Sequence, residues 1–132
     1  MKNLYFIASL VMTLALAWSC KGEEKKAAYD TLDTASFEQL IADSTHVVLL
    51  DVRSLSEYEE KHLPGAQLLD VKEDSFMVKA QERLPKEKTI AVYCRSGRRS
   101  ASAAGMLTAE GYKVVNLQGG IEAWTKAGKP TE

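Results

Sequence analysis

Seven consecutive residues, Cys94-Arg95-Ser96-Gly97-Arg98-Arg99-Ser100, place a nucleophile inside a dense patch of positive charge. The cysteine follows an apolar run, Thr89 to Tyr93, and three arginines fall within the next five positions. Two readings compete. Cys94 is either a small core residue beside ordinary surface arginines, or a thiolate held by backbone and cations that receives an anion. A tight loop between a strand end and a helix start turns successive N–H groups inward, and the helix terminus adds partial positive charge. Gly97 supplies the backbone freedom for such a curl. Arg95, Arg98 and Arg99 add positive potential, and Ser100 is placed to cap the helix. All of these favour thiolate over thiol, below the free value of about 8.5. No histidine adjoins Cys94, so the loop itself must generate the thiolate. Cys94 is therefore the candidate nucleophile, with Arg95, Ser96, Gly97, Arg98 and Arg99 as its anion cradle.

The elements that must position this loop alternate in type. Phe37, Leu40 and Ile41 have helical spacing behind a Ser36-x-x-Gln39 capping box, which predicts a helix over 36–44. His46 to Val52 is a continuous run of β-branched residues and leucine, the pattern of a strand covered on both faces. A second capping box, Ser54 to Glu57, opens a short helix to about Lys61. Pro64-Gly65 makes a turn before a brief strand over 66–71. A charged periodic segment over 72–84 reads as a helix that Pro85 ends. Thr89–Tyr93 is a second buried strand, 99–111 an alanine-rich helix closed by Gly111, 113–117 a strand and 121–128 a last helix. Strands alternating with helices imply an α/β fold with a mostly parallel sheet and helices on both faces. Ligands of such sheets bind beyond the carboxyl ends of the strands, where Cys94 falls. Near that edge, Asp51, Arg53 and Glu57 form a charged set. Arg53 and Glu57 are expected to pair and fix the strand-to-helix turn rather than act on substrate. His62 is expected to hold a turn by hydrogen bonding, and Gly119-Gly120 with Trp124 to serve as turn and core.

The 132 residues are enough for one domain. The formal net charge is −1, so the arginine cluster is local and the chain lacks the basic bias of a nucleic-acid binder. At the amino end, Lys2 precedes an apolar run, free of charge, from Leu4 to Trp18. That length suits the hydrophobic region of a signal peptide better than a membrane span. Cys20 directly after it resembles the cysteine of a bacterial lipoprotein signal, where cleavage exposes a cysteine that carries diacylglycerol; a plain secretory signal or an uncleaved anchor is the alternative. The expected organisation is a signal over 1–19, a lipid anchor at Cys20 with a charged tether to residue 30, and one domain over 31–132. The protein would then sit as a monomer, lipid-anchored at the membrane of the cell envelope and facing the periplasm or the surface. Cys20 and Cys94 are the two cysteines. If Cys20 is lipidated, Cys94 is a lone thiol in an exported protein, where structural cysteines normally pair.

Four motifs, in order, resemble those of single-domain rhodaneses, a sulfurtransferase family. They are Asp51-Val52-Arg53; Glu57-Tyr58 with His62-Leu63-Pro64-Gly65-Ala66; the Cys94–Ser100 loop; and Leu117-Gln118-Gly119-Gly120 with Trp124. The resemblance spans about Thr34 to Ala127, and departs at Lys61, where the family often has glycine. It implies the three-layer rhodanese fold and a Cys94 persulfide formed from thiosulfate or a persulfide donor, with cyanide or a thiol as acceptor and no metal or organic cofactor. Rival readings are a non-catalytic or persulfide-sensing module, and a cysteine phosphatase or arsenate reductase. The latter pair needs arginine six positions after the cysteine; here Arg99 comes five after, and the smaller loop suits sulfur better than a tetrahedral phosphate. A thiol–disulfide exchange role lacks a nearby second cysteine.

Overall fold

The computed structural model describes residues 28–132, so the signal, Cys20 and most of the tether lie outside it. Five strands, β1 (Asp30–Leu32), β2 (Val47–Asp51), β3 (Gln67–Leu68), β4 (Thr89–Tyr93) and β5 (Val114–Leu117), alternate with five helices. The helices are α1 (Thr34–Ile41), α2 (Leu55–Glu60), α3 (Phe76–Arg83), α4 (Arg98–Ala109) and α5 (Gly120–Lys126). The strands lie in the order β1-β5-β4-β2-β3, and every pair is parallel. Among the described residues no helix is long and apolar enough to cross a membrane.

Two apolar clusters sandwich the sheet, because alternate residues of each buried strand point to opposite faces. Val48, Leu50, Ile90 and Val92 meet Phe76 and Ala80 of α3 and Ala103, Ala104 and Leu107 of α4. Leu49, Ala91, Tyr93 and Val115 meet Phe37 of α1 and Ile121 and Trp124 of α5. Burying a large apolar side chain contributes about 1.5–3 kcal/mol, and Phe37, Leu50, Ile90 and Leu107 are fully enclosed. Helices cover both faces, and the carboxyl ends of β2 and β4 lie side by side, with Asp51 opposite Tyr93.

Several boundaries differ from the sequence expectation. Residues 30–32, read partly as tether, add strand β1 beside β5. Helix α1 starts at Thr34 because Asp33 caps it, its Oδ1 accepting the Ser36 N–H at 2.8 Å; the expected Ser36 box does not form the cap. Strand β3 keeps two residues, since Asp70 turns the chain by accepting the Lys72 N–H on Oδ1. Helix α3 therefore begins at Phe76 rather than 72. The residues after α5 are packed down: Trp124 Nε1 donates to the Pro130 carbonyl at 2.8 Å, and His62 and Glu132 exchange backbone hydrogen bonds of 3.0 and 2.8 Å.

Candidate active site

Cys94 leaves the end of β4 and is almost fully enclosed, at 1% exposure. Both sequence readings are half right: the residue is buried, yet its sulfur is surrounded by donors. The Gly97 N–H points at Sγ from 3.1 Å and the Ser100 hydroxyl from 3.3 Å. Burial pushes the thiol pKa up, but the Ser100 hydroxyl and the N–H groups of Ser100, Gly97 and Ser96 outweigh it and hold the pKa below the usual thiol value. The Ser100 side chain is thus not a helix cap. Gly97 occupies the cap position at φ 105°, with no side-chain cap bond. That left-handed conformation suits glycine and delivers its N–H to the sulfur.

The arginines are less free than their sequence suggests. Arg95 Nε donates to Glu122 Oε1 at 2.8 Å. Arg99 makes a bidentate pair with Glu57, both contacts 2.8 Å, tying α4 to α2. Arg98 is exposed and forms no ion pair among the described residues. The Arg99 guanidinium, with the Ser54 cap opposing the cost of burial, holds the Glu57 carboxyl down at about 2. Hydrogen bonds to the sulfur, more than net cationic charge, therefore favour the thiolate.

The expected Arg53–Glu57 pair is replaced by another. Arg53 folds back on Asp51: Nε lies 3.0 Å from Oδ1 and Nη2 2.7 Å from Oδ2, both residues being buried. Arg53 lies two residues past the end of the strand, close enough to fold back on Asp51, and Glu57 turns instead to Arg99. Arg53 Nη2 also donates to the Lys61 carbonyl at 2.7 Å. Lys61 departs from the family's glycine at no backbone cost, since φ −165° is ordinary extended chain and its carbonyl makes the contact. Tyr93, next to Cys94, donates its hydroxyl to Asp51 Oδ2 at 2.6 Å and accepts the Leu63 N–H at 3.0 Å. Burial first, and Asp51 second, push its hydroxyl pKa up, so it stays a donor. His62 holds its turn as expected, its Nδ1 2.8 Å from the Tyr58 carbonyl.

Sequence reasoning undervalued Gly120. A Cβ there would stand 2.5 Å from the carbonyl oxygens of both Cys94 and Arg95, so only glycine lets α5 lie against the loop. In that position the N–H groups of Ile121 and Glu122 donate to the Cys94 and Arg95 carbonyls at 2.9 and 3.1 Å. With its carbonyls held from behind, the loop turns its N–H groups to the sulfur. The tandem glycine after a strand was the available signal; nothing in the sequence marked Tyr93.

Residues 33–127 match the family model described as a rhodanese-like domain. A sulfurtransferase of Allochromatium vinosum is 37% identical over 100 residues, covering 75% of this chain and 91% of that protein. A thiosulfate sulfurtransferase of Coxiella burnetii is 40% identical over 86 residues, covering 64% of this chain and 77% of that one. The crystal structure of a rhodanese-related protein from Thermoplasma volcanium superimposes with a TM-score of 0.69 at 27% identity, covering 79% and 98% of the two chains.

Proposed function

The chain belongs to the rhodanese-like family, and on that premise we propose that it moves a sulfane sulfur through a persulfide on Cys94. The Cys94 thiolate attacks the outer sulfur of thiosulfate; the new S–S bond takes that sulfur as its bond to sulfite breaks, and sulfite leaves with the electron pair. A persulfide donor would react in the same way, expelling a thiolate. Cyanide or a thiol then attacks the outer sulfur and returns Cys94 as thiolate. A covalent carrier of this kind gives ping-pong kinetics. Loop N–H groups from Arg95 to Arg99 would cradle the persulfide, with Arg98 the least encumbered cation facing an arriving anion.

One observation carries this reading most: a sulfur with two donors aimed at it, from 3.1 and 3.3 Å, at the head of a five-step loop to Arg99. Mixing the protein with thiosulfate alone tests it. Release of one sulfite per Cys94 before any acceptor is added supports the persulfide. Sulfite release only in the presence of acceptor contradicts a separate first step.

We further propose that Cys20 carries a lipid anchor holding the domain at a cell-envelope membrane. Cys20→Ala should release the chain from membranes or block its processing. Unchanged membrane association would overturn the anchor.

A further inference from the structure

Beside the Cys94 loop, α2 and α5 enclose a cleft of about 380 Å³, within the roughly 300–1,000 Å³ range of small-molecule sites. Cys94 does not line it, but its neighbour Arg95 does, together with Arg53, Glu57, Glu60, Lys61 and Glu122. Three bases and three acids make this wall balanced in formal charge. Glu57 is taken by Arg99 and Glu122 by Arg95. Lys61 and Glu60 ion-pair with no group among the described residues. The most informative residue is Arg53, whose side chain is 4% exposed. Its Nε and Nη2 bind Asp51 and the Lys61 carbonyl, while Nη1 meets no acceptor among the described residues. Among the described residues the fully enclosed side-chain nitrogen or oxygen without a partner is Asn116 Oδ1, on β5 and away from the cleft, so Arg53 Nη1 is not fully enclosed. A largely buried guanidinium that lines the cleft thus keeps one donor nitrogen unused.

Thiosulfate is a poor occupant. It is too small to need this space, and a wall balanced in formal charge gives a dianion no net attraction. A zwitterion fits the balance: a carboxylate between Arg53 Nη1 and Lys61, and an ammonium toward Glu60. Resting on the reading of Cys94 as sulfur carrier, we propose that this cleft binds the sulfur acceptor, and that the acceptor is a small amino-acid or peptide thiol recognised through its carboxylate. Its thiolate would attack the outer sulfur of the Cys94 persulfide: RS⁻ and Cys94–S–SH become RS–SH and the Cys94 thiolate, with no other reactant.

The test follows discharge of the thiosulfate-loaded protein by cysteine, N-acetylcysteine, cysteamine and 2-mercaptoethanol, each counted as thiolate. Cysteine and N-acetylcysteine should show lower KM values than cysteamine and 2-mercaptoethanol. Lys61→Glu should cut the preference for N-acetylcysteine over 2-mercaptoethanol by about fivefold or more. Equal KM values for all four thiols would overturn the proposal, as would a Lys61→Glu effect confined to thiosulfate loading. S-methylcysteine, which cannot accept sulfur, separates this proposal from the carrier reading. Titrated into the unloaded protein, it should shift the backbone amide signals of Lys61 and Ile121, and no shift would overturn the cleft assignment even if Cys94 carries sulfur. If Cys94 takes up no sulfur, the carrier reading fails, while shifts at those amides would still support a carboxylate-binding cleft.

Discussion

Two polar clusters stand side by side at the carboxyl edge of the sheet and are built on opposite principles. At the end of β2, Asp51, Arg53 and Tyr93 pair their charges with one another, with Arg53 Nη1 left over: a buried anion meets a buried cation and a hydroxyl, with distances down to 2.6 Å. At the end of β4, Cys94 is equally buried but has donors and, among the described residues, no buried counter-ion. Burying charge is costly unless it is paired, and the first cluster obeys by closing on itself. The second obeys by letting the charge come and go: the sulfur is neutral as thiol, and as thiolate it is met by N–H and O–H groups. The closed cluster holds strand ends and the Leu63 turn in place, leaving the open one free for chemistry.

The largest expected effect comes from removing the open cluster's sulfur. Cys94→Ser should abolish sulfur transfer, with a thermal midpoint within a few degrees of wild type; full turnover would remove Cys94 from the mechanism. Next is the support behind the loop. Gly120→Ala places a Cβ where two carbonyl oxygens stand at 2.5 Å, so it should cost about 1–3 kcal/mol by denaturant unfolding. Loading by thiosulfate should fall with it by at least tenfold, as the loop N–H groups turn from the sulfur.

Tyr93→Phe probes the closed cluster. It leaves Asp51 and the Leu63 N–H each one partner short, a loss of about 1–3 kcal/mol in unfolding free energy. The comparison predicts that loading suffers less than stability; the reverse would make Tyr93 part of the chemistry. Ser100→Ala acts the other way. Losing a hydroxyl that favours the thiolate raises the Cys94 pKa, so the rising limb of the loading rate against pH should move to higher pH. On the acid side of that limb the rate should fall about tenfold, with little change in stability. The smallest effect concerns the Glu57–Arg99 bridge between the clusters. Because folding lowers the Glu57 pKa from 4.5 to about 2, its contribution is fully present above about 4.5 and is lost as pH falls toward 2. Glu57→Gln should therefore be less stable near neutrality by about 1 kcal/mol, as befits a partly solvated pair, and the difference should vanish by pH 2.

The sheet and its flanking helices were legible because β2 and β4 are apolar runs but for one end residue each, and such runs have few alternatives to a covered parallel strand. The Cys94 loop was legible because its residues are contiguous. What failed was long-range or marginal. Arg53 and Glu57 are four apart, an inviting local pair, but the sequence does not say that Arg99 arrives from 42 residues away or that Asp51 is the nearer anion. Ser100 looked like a cap because helix-start serines usually are; that its hydroxyl faces a sulfur six residues back depends on the curl of the loop. Strand β1 is three residues long, too short for a pattern, and forms only because β5 offers an edge.

The measurement that bears most directly on the sulfur-carrier claim is the intact mass of the protein after thiosulfate treatment, with the modified residue located by peptide fragmentation. A gain of about 32 Da on Cys94, removed by cyanide or dithiothreitol and absent from Cys94→Ser, is the predicted result. An unmodified Cys94 in a folded protein that hydrolyses an aryl phosphate would contradict it.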